Sequence, residues 1–448
     1  MHVTRTYGIQ ENWHDPTSQY LYGHWRRAKM TELAVDFDDV RAAQERLDDP
    51  TVVKPTPVER STSLEEMTGA KRVHLKLEHL QWTGSFKTRG AYNKIKTLLE
   101  VGGVDGVIAA SAGNHAQGVA LAATKLGIDS TVVMPTVAPQ TKIDATREYG
   151  ATVELVGKDF QEATRYAKQQ AAESELEFVH AFDDPGIIAG QGTLGVEMYE
   201  DVPSVDTVIV PIGGGGLISG IATAYAELRP ETRLVGVQAV GAETVADSLA
   251  KGKPQTLETV DTIADGIATG GVSDLTLPII DRYVDDVVTV TNGEIADAVL
   301  FLMEHAKQVV EGAGAASVAA LRAGEIAVED ETVMPLLCGG NLDMTMLRAI
   351  LIHALAGRDQ ILRLRVRIDD QPGKMAELSG IIADHGANIQ TVRHDRALVD
   401  LDVGEAFLVF QVETSGVEHA KNIVGSISEH GYEVDVVNRS GVEASHGK

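Results

Sequence analysis

Residues 207–228 read TVIVPIGGGGLISGIATAYAEL. Thr207–Ile212 is an apolar, β-branched run of strand length, and Leu217–Leu228 carries its apolar residues at helical spacing. Between them stand Gly213, Gly214, Gly215 and Gly216. A tight turn is the plain explanation of such a run, but four glycines are more than a turn needs. Without side chains, successive backbone N–H groups can face one anion, and the positive end of the helix adds to the attraction. The unit is therefore expected to bind a phosphate group. It is not a P-loop, because no Gly-Lys-Ser/Thr follows, and it does not match the GxGxxG pattern of dinucleotide sites.

The same alternation extends in both directions. Strands are expected over Gly106–Ala110, Thr131–Met134, Thr152–Val156 and Leu234–Val240, and a helix over Ala116–Leu126. Strand and helix in turn predict an α/β fold with parallel sheets covered on both faces. A chain of 448 residues has room for two such sheets and a further domain. The character changes near Arg358. Ile361–Ile368 (ILRLRVRI) alternates as a half-buried strand does. Met375, Leu378 and Ile382 then fall at helical spacing and stop at His385-Gly386. Ala387–Val392 and Ala406–Val412 read as strands, Ala420–Ile427 as a helical stripe and Glu433–Val437 as a last strand. The order is βαββαβ, a module of its own. The expected division is an N-terminal extension without order of its own over 1–32, a catalytic part over 33–357 and this module over 358–448. The first 29 residues lack both periodicity and an apolar signal core.

Composition narrows the function. There are 65 acidic against 39 basic residues, a formal charge of −26. That excludes the basic surface on which nucleic-acid or anionic-membrane binding depends. The acids are scattered, so they read either as a solvated, self-repelling face or as adaptation to a salty cytoplasm, where screening tolerates such charge. The single cysteine, Cys338, allows no internal disulfide and fits a reducing, cytoplasmic setting. No stretch has the length and apolarity of a membrane span.

Three more segments carry chemistry. Thr83-Gly84-Ser85-Phe86-Lys87-Thr88-Arg89-Gly90 sets a lysine among small residues and beside an aromatic ring. Most lysines are merely solvated, but one held in a partly apolar site has a lowered pKa and can form a Schiff base with an aldehyde. Ser111-Ala112-Gly113-Asn114-His115 follows a strand and precedes a helix. It reads as an ordinary helix cap, or as a small polar cradle for a carboxylate. Leu336-Leu337-Cys338-Gly339-Gly340-Asn341 ends a strand in a thiol and two glycines, and by itself most simply signals a buried structural cysteine.

In this order and spacing the segments resemble the threonine/serine dehydratase branch of the fold-type II pyridoxal-phosphate enzymes. The resemblance runs from about Asp36 to Ala356. It takes in Lys54-Pro55-Thr56-Pro57, Met134-Pro135 with Lys142, and Glu311-Gly312-Ala313-Gly314-Ala315-Ala316. The module, with Asp370-Gln371-Pro372-Gly373 at its first turn, looks like an ACT-type regulatory domain over a shorter match.

The resemblance implies a residue-by-residue assignment. Lys87 would hold pyridoxal phosphate as a Schiff base and act as catalytic base, with Phe86 against the ring. Asn114 would bond the ring oxygen, and Cys338 would meet the ring nitrogen. Gly213, Gly214, Gly215, Gly216 and Leu217 would cradle the phosphate. Ser85, Ser111, Ala112, Gly113 and the N–H groups around Asn114 and His115 would hold the substrate. The implied reaction removes water and then ammonia from L-threonine to give 2-oxobutanoate, with L-serine as a second substrate.

Three further expectations follow from the resemblance. Racemases of this family place an acidic serine where Ala112 stands, which favours elimination over racemisation. Relatives that bind a divalent cation use an acid where Gln238 stands, so no metal is expected. Gly373 and Asn388 are the expected contacts for an amino-acid effector, isoleucine, in a homodimer or homotetramer. The readings outside this one are a serine dehydratase or racemase, and a catalytically silent amino-acid sensor that keeps the fold.

Overall fold

The computed structural model describes residues 33–396 and 401–437. The N-terminal extension expected over 1–32 lies outside them.

The described chain opens with the helix Phe37–Arg46. Asp36 caps it by accepting from Asp39 N–H, while the Asp39 carboxylate accepts from Asp36 N–H. Val40 and Ala43 are its buried face, as the spacing predicts. Two strands follow, β1 (Val58–Arg60) and β2 (Arg72–Lys76). The chain then builds β3 (Gly106–Ala110), β4 (Asp129–Met134), β5 (Thr152–Leu155) and β6 (Leu176–Phe178), with helices between them. It returns through β7 (Thr207–Pro211), β8 (Arg233–Ala239), β9 (Asp286–Val290) and β10 (Thr332–Pro335). The module supplies β11 (Ile361–Asp369), β12 (Asn388–Asp395), β13 (Glu405–Glu413) and β14 (Glu433–Val436).

Two sheets underlie the first part, as expected. The smaller has the order β5-β4-β3-β6 and is parallel throughout. The larger has the order β1-β2-β10-β7-β8-β9. It is parallel except at its edge, where β1 runs antiparallel to β2. The parallel sheets are those expected, and the antiparallel edge is an addition to them. Its reason is local: the short connection from β1 to β2 leaves no room for the long crossover that a parallel pair requires. The strands β7, β8 and β10 are buried almost throughout, and Val208, Ile209, Val210, Val235, Val237 and Met334 share one apolar core with residues of the neighbouring helices.

The module has the expected βαββαβ order, with an antiparallel sheet β12-β13-β11-β14. Leu362, Leu364, Val366 and Ile368 of β11 point into a core with Leu378, Ile382, Ile423 and Ile427 of its two helices. Each such burial contributes roughly 1.5–3 kcal/mol. Arg363, Arg365 and Arg367 alternate onto the other face, where Arg365 pairs with Asp435. Among the described residues, no helix is long and apolar enough to cross a membrane.

Candidate active site

Three motifs leave the carboxyl ends of parallel strands. Ser111-Ala112-Gly113 follows β3, the glycine run follows β7, and Cys338-Gly339 lies just beyond β10, the hydrogen-bonded neighbour of β7. Open α/β sheets collect ligands at these ends, because loops and helix N-termini converge there. Here the ends of both sheets line one cavity of about 550 Å³, the size of a small-molecule site.

Lys87 begins the helix Lys87–Val101. Its Nζ donates to the carbonyl of Ala181 at 3.0 Å and lies 5.0 Å from the centre of the Phe86 ring. Burial lowers its pKa to about 8, although the Glu311 carboxylate acts the other way. A lysine near 8 has about a tenth of its amine uncharged at pH 7, far more than an ordinary lysine, and can act as a nucleophile or a base. Ala181 is aimed by the turn that holds it, because His180 Nδ1 accepts from the N–H groups of Phe182 and Asp183. One prediction follows for the chain without cofactor. Labelling of Lys87 by an amine-selective reagent should rise with a midpoint near pH 8, where an ordinary lysine rises near 10.4. Mass spectrometry of the labelled peptide reads this directly, and a midpoint above 10 would remove the lysine from consideration.

The glycine run is a cradle that side chains would destroy. A Cβ on Gly214 would sit 2.4 Å from the Phe182 ring, and one on Gly216 would sit 2.9 Å from Phe182 Cβ. Gly215 has φ +89°, and a Cβ there would press 2.9 Å from Thr276 Cβ. Thr276 Oγ1 donates to the carbonyl of Gly214 at 2.9 Å, giving that oxygen a partner within the protein. The helix Gly216–Leu228 then starts with no side-chain cap, leaving its first N–H groups to the cavity. These observations fit a phosphate.

The Asn114 amide is held at both ends. Its Nδ2 donates to Glu311 Oε1 at 2.8 Å, and its Oδ1 accepts from Asn341 Nδ2 at 2.8 Å. Ser111 Oγ accepts from Gly113 N–H at 3.1 Å. The imidazole of His115 turns away and donates to the carbonyl of Val179; burial, then the Lys87 charge, lower its pKa to about 3. Cys338 donates weakly to the carbonyl of Ala313 at 3.6 Å. Burial pushes its thiol well above the ordinary range, so it stays protonated.

The expected residues Phe86, Lys87, Ser111, Ala112, Gly113, Asn114, His115, Gly213, Gly214, Gly215, Gly216, Leu217 and Cys338 all line this cavity. Ser85 does not: its side chain is fully buried behind the wall, and its hydroxyl makes no hydrogen bond. Gln238 is also fully buried, with its carbonyl oxygen accepting from the N–H groups of Thr244 and Val245 and its amide donating to Ala242. Gly373 opens the helix Lys374–Asp384 with φ +99°. The Asn388 amide donates to Glu413 across the sheet.

Sequence reasoning missed four contributors. Glu311 and Asn341 stood in quoted motifs without a role. Phe182 carried no signal in the sequence. Lys142, also quoted without a role, reaches across the cavity mouth to within 3.4 Å of Asp265.

Comparison with known proteins agrees with this geometry. A family model described as pyridoxal-phosphate dependent enzyme matches residues 50–339. The chain is 44% identical over 403 residues to an L-threonine ammonia-lyase of Thermotoga maritima, covering 90% of this chain and all of that enzyme. Among solved structures, it resembles the processed form of threonine deaminase isoform 2 from Solanum lycopersicum (TM-score 0.66, 35% identity, 75% of this chain and 93% of that one). It also resembles maize serine racemase (TM-score 0.67, 36% identity, 73% and 99%).

Proposed function

The chain belongs to the pyridoxal-phosphate dependent enzymes, and from that premise we propose that it is an L-threonine ammonia-lyase releasing 2-oxobutanoate and ammonia, with Lys87 as its catalytic residue. The observation that carries this is one cavity joining a buried Lys87 of lowered pKa to a glycine cradle shaped for phosphate.

The residues divide the work. Gly213, Gly214, Gly215, Gly216 and Leu217 would hold the phosphate by backbone N–H groups, and Phe86 and Lys87 would hold the ring. When bound, pyridoxal phosphate supplies an aldehyde for amines to exchange on and a conjugated ring that takes up electrons. Ser111 and the N–H groups at the start of the helix Asn114–Leu126 hold the substrate carboxylate. Lys87, once free and uncharged, removes the Cα proton. Ala112 lines the cavity with a methyl group and has no proton to return to Cα, which favours elimination over racemisation. Cys338, a protonated thiol, is a weak partner and no counter-ion for a ring nitrogen.

The proposal extends to the module. We take it as an ACT-like regulatory domain that binds an amino acid near Gly373 and Asn388. Isoleucine, the end product of the biosynthesis that 2-oxobutanoate enters, is then the inhibitor of a cytoplasmic homodimer or homotetramer. The test is 2-oxoacid release from L-threonine over a range of concentrations, with and without L-isoleucine. Turnover suppressed by isoleucine supports both readings, and turnover indifferent to it removes the effector. No 2-oxobutanoate from enzyme with cofactor bound overturns the substrate and leaves serine to be tried.

A further inference from the structure

We propose that Glu311 is the positioning residue of this site: its ionised carboxylate ends a chain of amide donors and so fixes Asn114 with one N–H tied down and the other free for the ring oxygen. The proposal rests on the cofactor reading above and goes beyond it, since no role had been assigned to Glu311.

The donor chain has a direction. Asn341 Nδ2 donates to the carbonyl of Thr83 at 2.6 Å and to Asn114 Oδ1 at 2.8 Å. Asn114 Nδ2 then donates to Glu311 Oε1 at 2.8 Å. An ionised carboxylate only accepts, so it can terminate such a chain. A protonated one brings a donor to its end and weakens the bond by removing the charge. The backbone is shaped to admit the carboxylate. A Cβ on Gly339 would lie 2.4 Å from Glu311 Oε1, and one on Gly266 would lie 2.8 Å from it. Glu311 N–H is itself held by the carbonyl of Gly339 at 3.2 Å. The residue is buried, and among the described residues no arginine or lysine forms an ion pair with it.

The charge is adjustable near neutrality. Burial raises the Glu311 pKa to about 7, against the Asn114 hydrogen bond, which lowers it. The charged groups around it are Lys142 from the helix Gln140–Glu148 and Lys87 from the helix Lys87–Val101, which favour ionisation, and Asp265, which opposes it. Cys338 stays a neutral thiol on the fourth side. Below the midpoint the carboxyl is protonated and Asn114 loses its charged anchor; above it, the anchor is present.

The experiment compares holoenzyme of the wild type, Glu311→Gln and Glu311→Ala. It reads the dissociation constant of pyridoxal phosphate, the pH titration of the bound cofactor's absorbance, and the pH profile of kcat/KM for threonine. Glutamine keeps an acceptor but has no charge to titrate. An ionisation near pH 7 should therefore appear in the wild type and vanish in Glu311→Gln, whose cofactor affinity should fall less than that of Glu311→Ala because an acceptor remains. Glu311→Ala should weaken cofactor binding about tenfold to a hundredfold, the worth of one charge-assisted hydrogen bond. If Glu311→Gln keeps the wild-type titration in both absorbance and kcat/KM, the proposal is overturned, whatever Glu311→Ala does to folding. Failure of the threonine reading is distinct: the wild type then gives no 2-oxobutanoate, while cofactor affinity and absorbance still report on Glu311.

Discussion

Replacing Lys87 by alanine is expected to lower threonine turnover by about 10⁴-fold or more, the upper end of what a general acid–base group contributes alone. The visible band of the bound cofactor should disappear with it. The effect is large because one amine carries two duties, the covalent hold on the aldehyde and the removal of the Cα proton. No neighbour can assume them. Among the described residues the only other lysine lining the cavity is Lys142, and it stands at the mouth against Asp265. Arginine at position 87 would fare no better, since a guanidinium keeps its charge at any working pH. The glycine cradle is untouched by the substitution, so the variant should still bind pyridoxal phosphate, noncovalently and more weakly. A small primary amine added to the assay should restore part of the rate if the missing function is a base. Turnover within tenfold of the wild type would sink the assignment of Lys87.

Most of this site was legible because its parts are local. The strand, glycine run and helix from Thr207 to Leu228 lie within 22 consecutive residues, and local pattern decides such units. The same holds for Ser111-Ala112-Gly113-Asn114-His115, and for β11 with its strict alternation of core and solvent faces. What escaped was non-local. Glu311 meets Asn114 across 197 positions of sequence, and Asn341 meets it across 227. Neither pairing leaves a periodic trace. Phe182 seals the glycine run only because the turn after His180 carries it there, and nothing in the composition of that turn announces it. Ser85 shows the converse. It adjoins Phe86 and Lys87 in sequence, yet its side chain is buried and does not line the cavity, and an isolated bridge ties its backbone to Gly339. The short β1 and β2 also went unread: β1 spans three residues and is mostly exposed, too little for alternation to register.

Replacing Arg89 by methionine is expected to destabilise the fold by about 3–5 kcal/mol, the cost of leaving a buried charge without its partner. Arg89 lies two residues beyond Lys87 on the same helix, with its guanidinium forked onto Glu78 at 2.7 and 3.1 Å and onto Glu197 at 2.6 Å. Lys76 closes the network from β2, donating to Glu197 at 2.6 Å and to Asp201 at 2.7 Å. Glu78 is fully buried, and without Arg89 it keeps only the Thr56 hydroxyl at 2.7 Å. Urea unfolding followed by circular dichroism reads the loss, and a change below about 1 kcal/mol would show that the network is dispensable. Combining Arg89→Met with Glu78→Gln removes the orphaned charge and should recover part of the loss, a coupling that two independent contacts would not show. Lysine at 89 keeps the charge but not the fork and should fall between wild type and methionine. The network also fixes the acid limit of the enzyme. Burial works to raise the Glu197 pKa, but Arg89 and Lys76 outweigh it and hold the carboxyl below its ordinary value. As pH falls, the unfolded chain therefore takes up the Glu197 proton first. The stability contributed is complete above the unfolded value of about 4.3 and drains away as pH drops toward the folded one. In Arg89→Met the Glu197 pKa moves back up, so its unfolding curve should depend less on pH below about 4 than the wild type's. Because the same helix begins at Lys87, a partly folded Arg89 variant should also lose cofactor before it loses secondary structure. That order of events would tie the buried ion network to the placement of the catalytic amine.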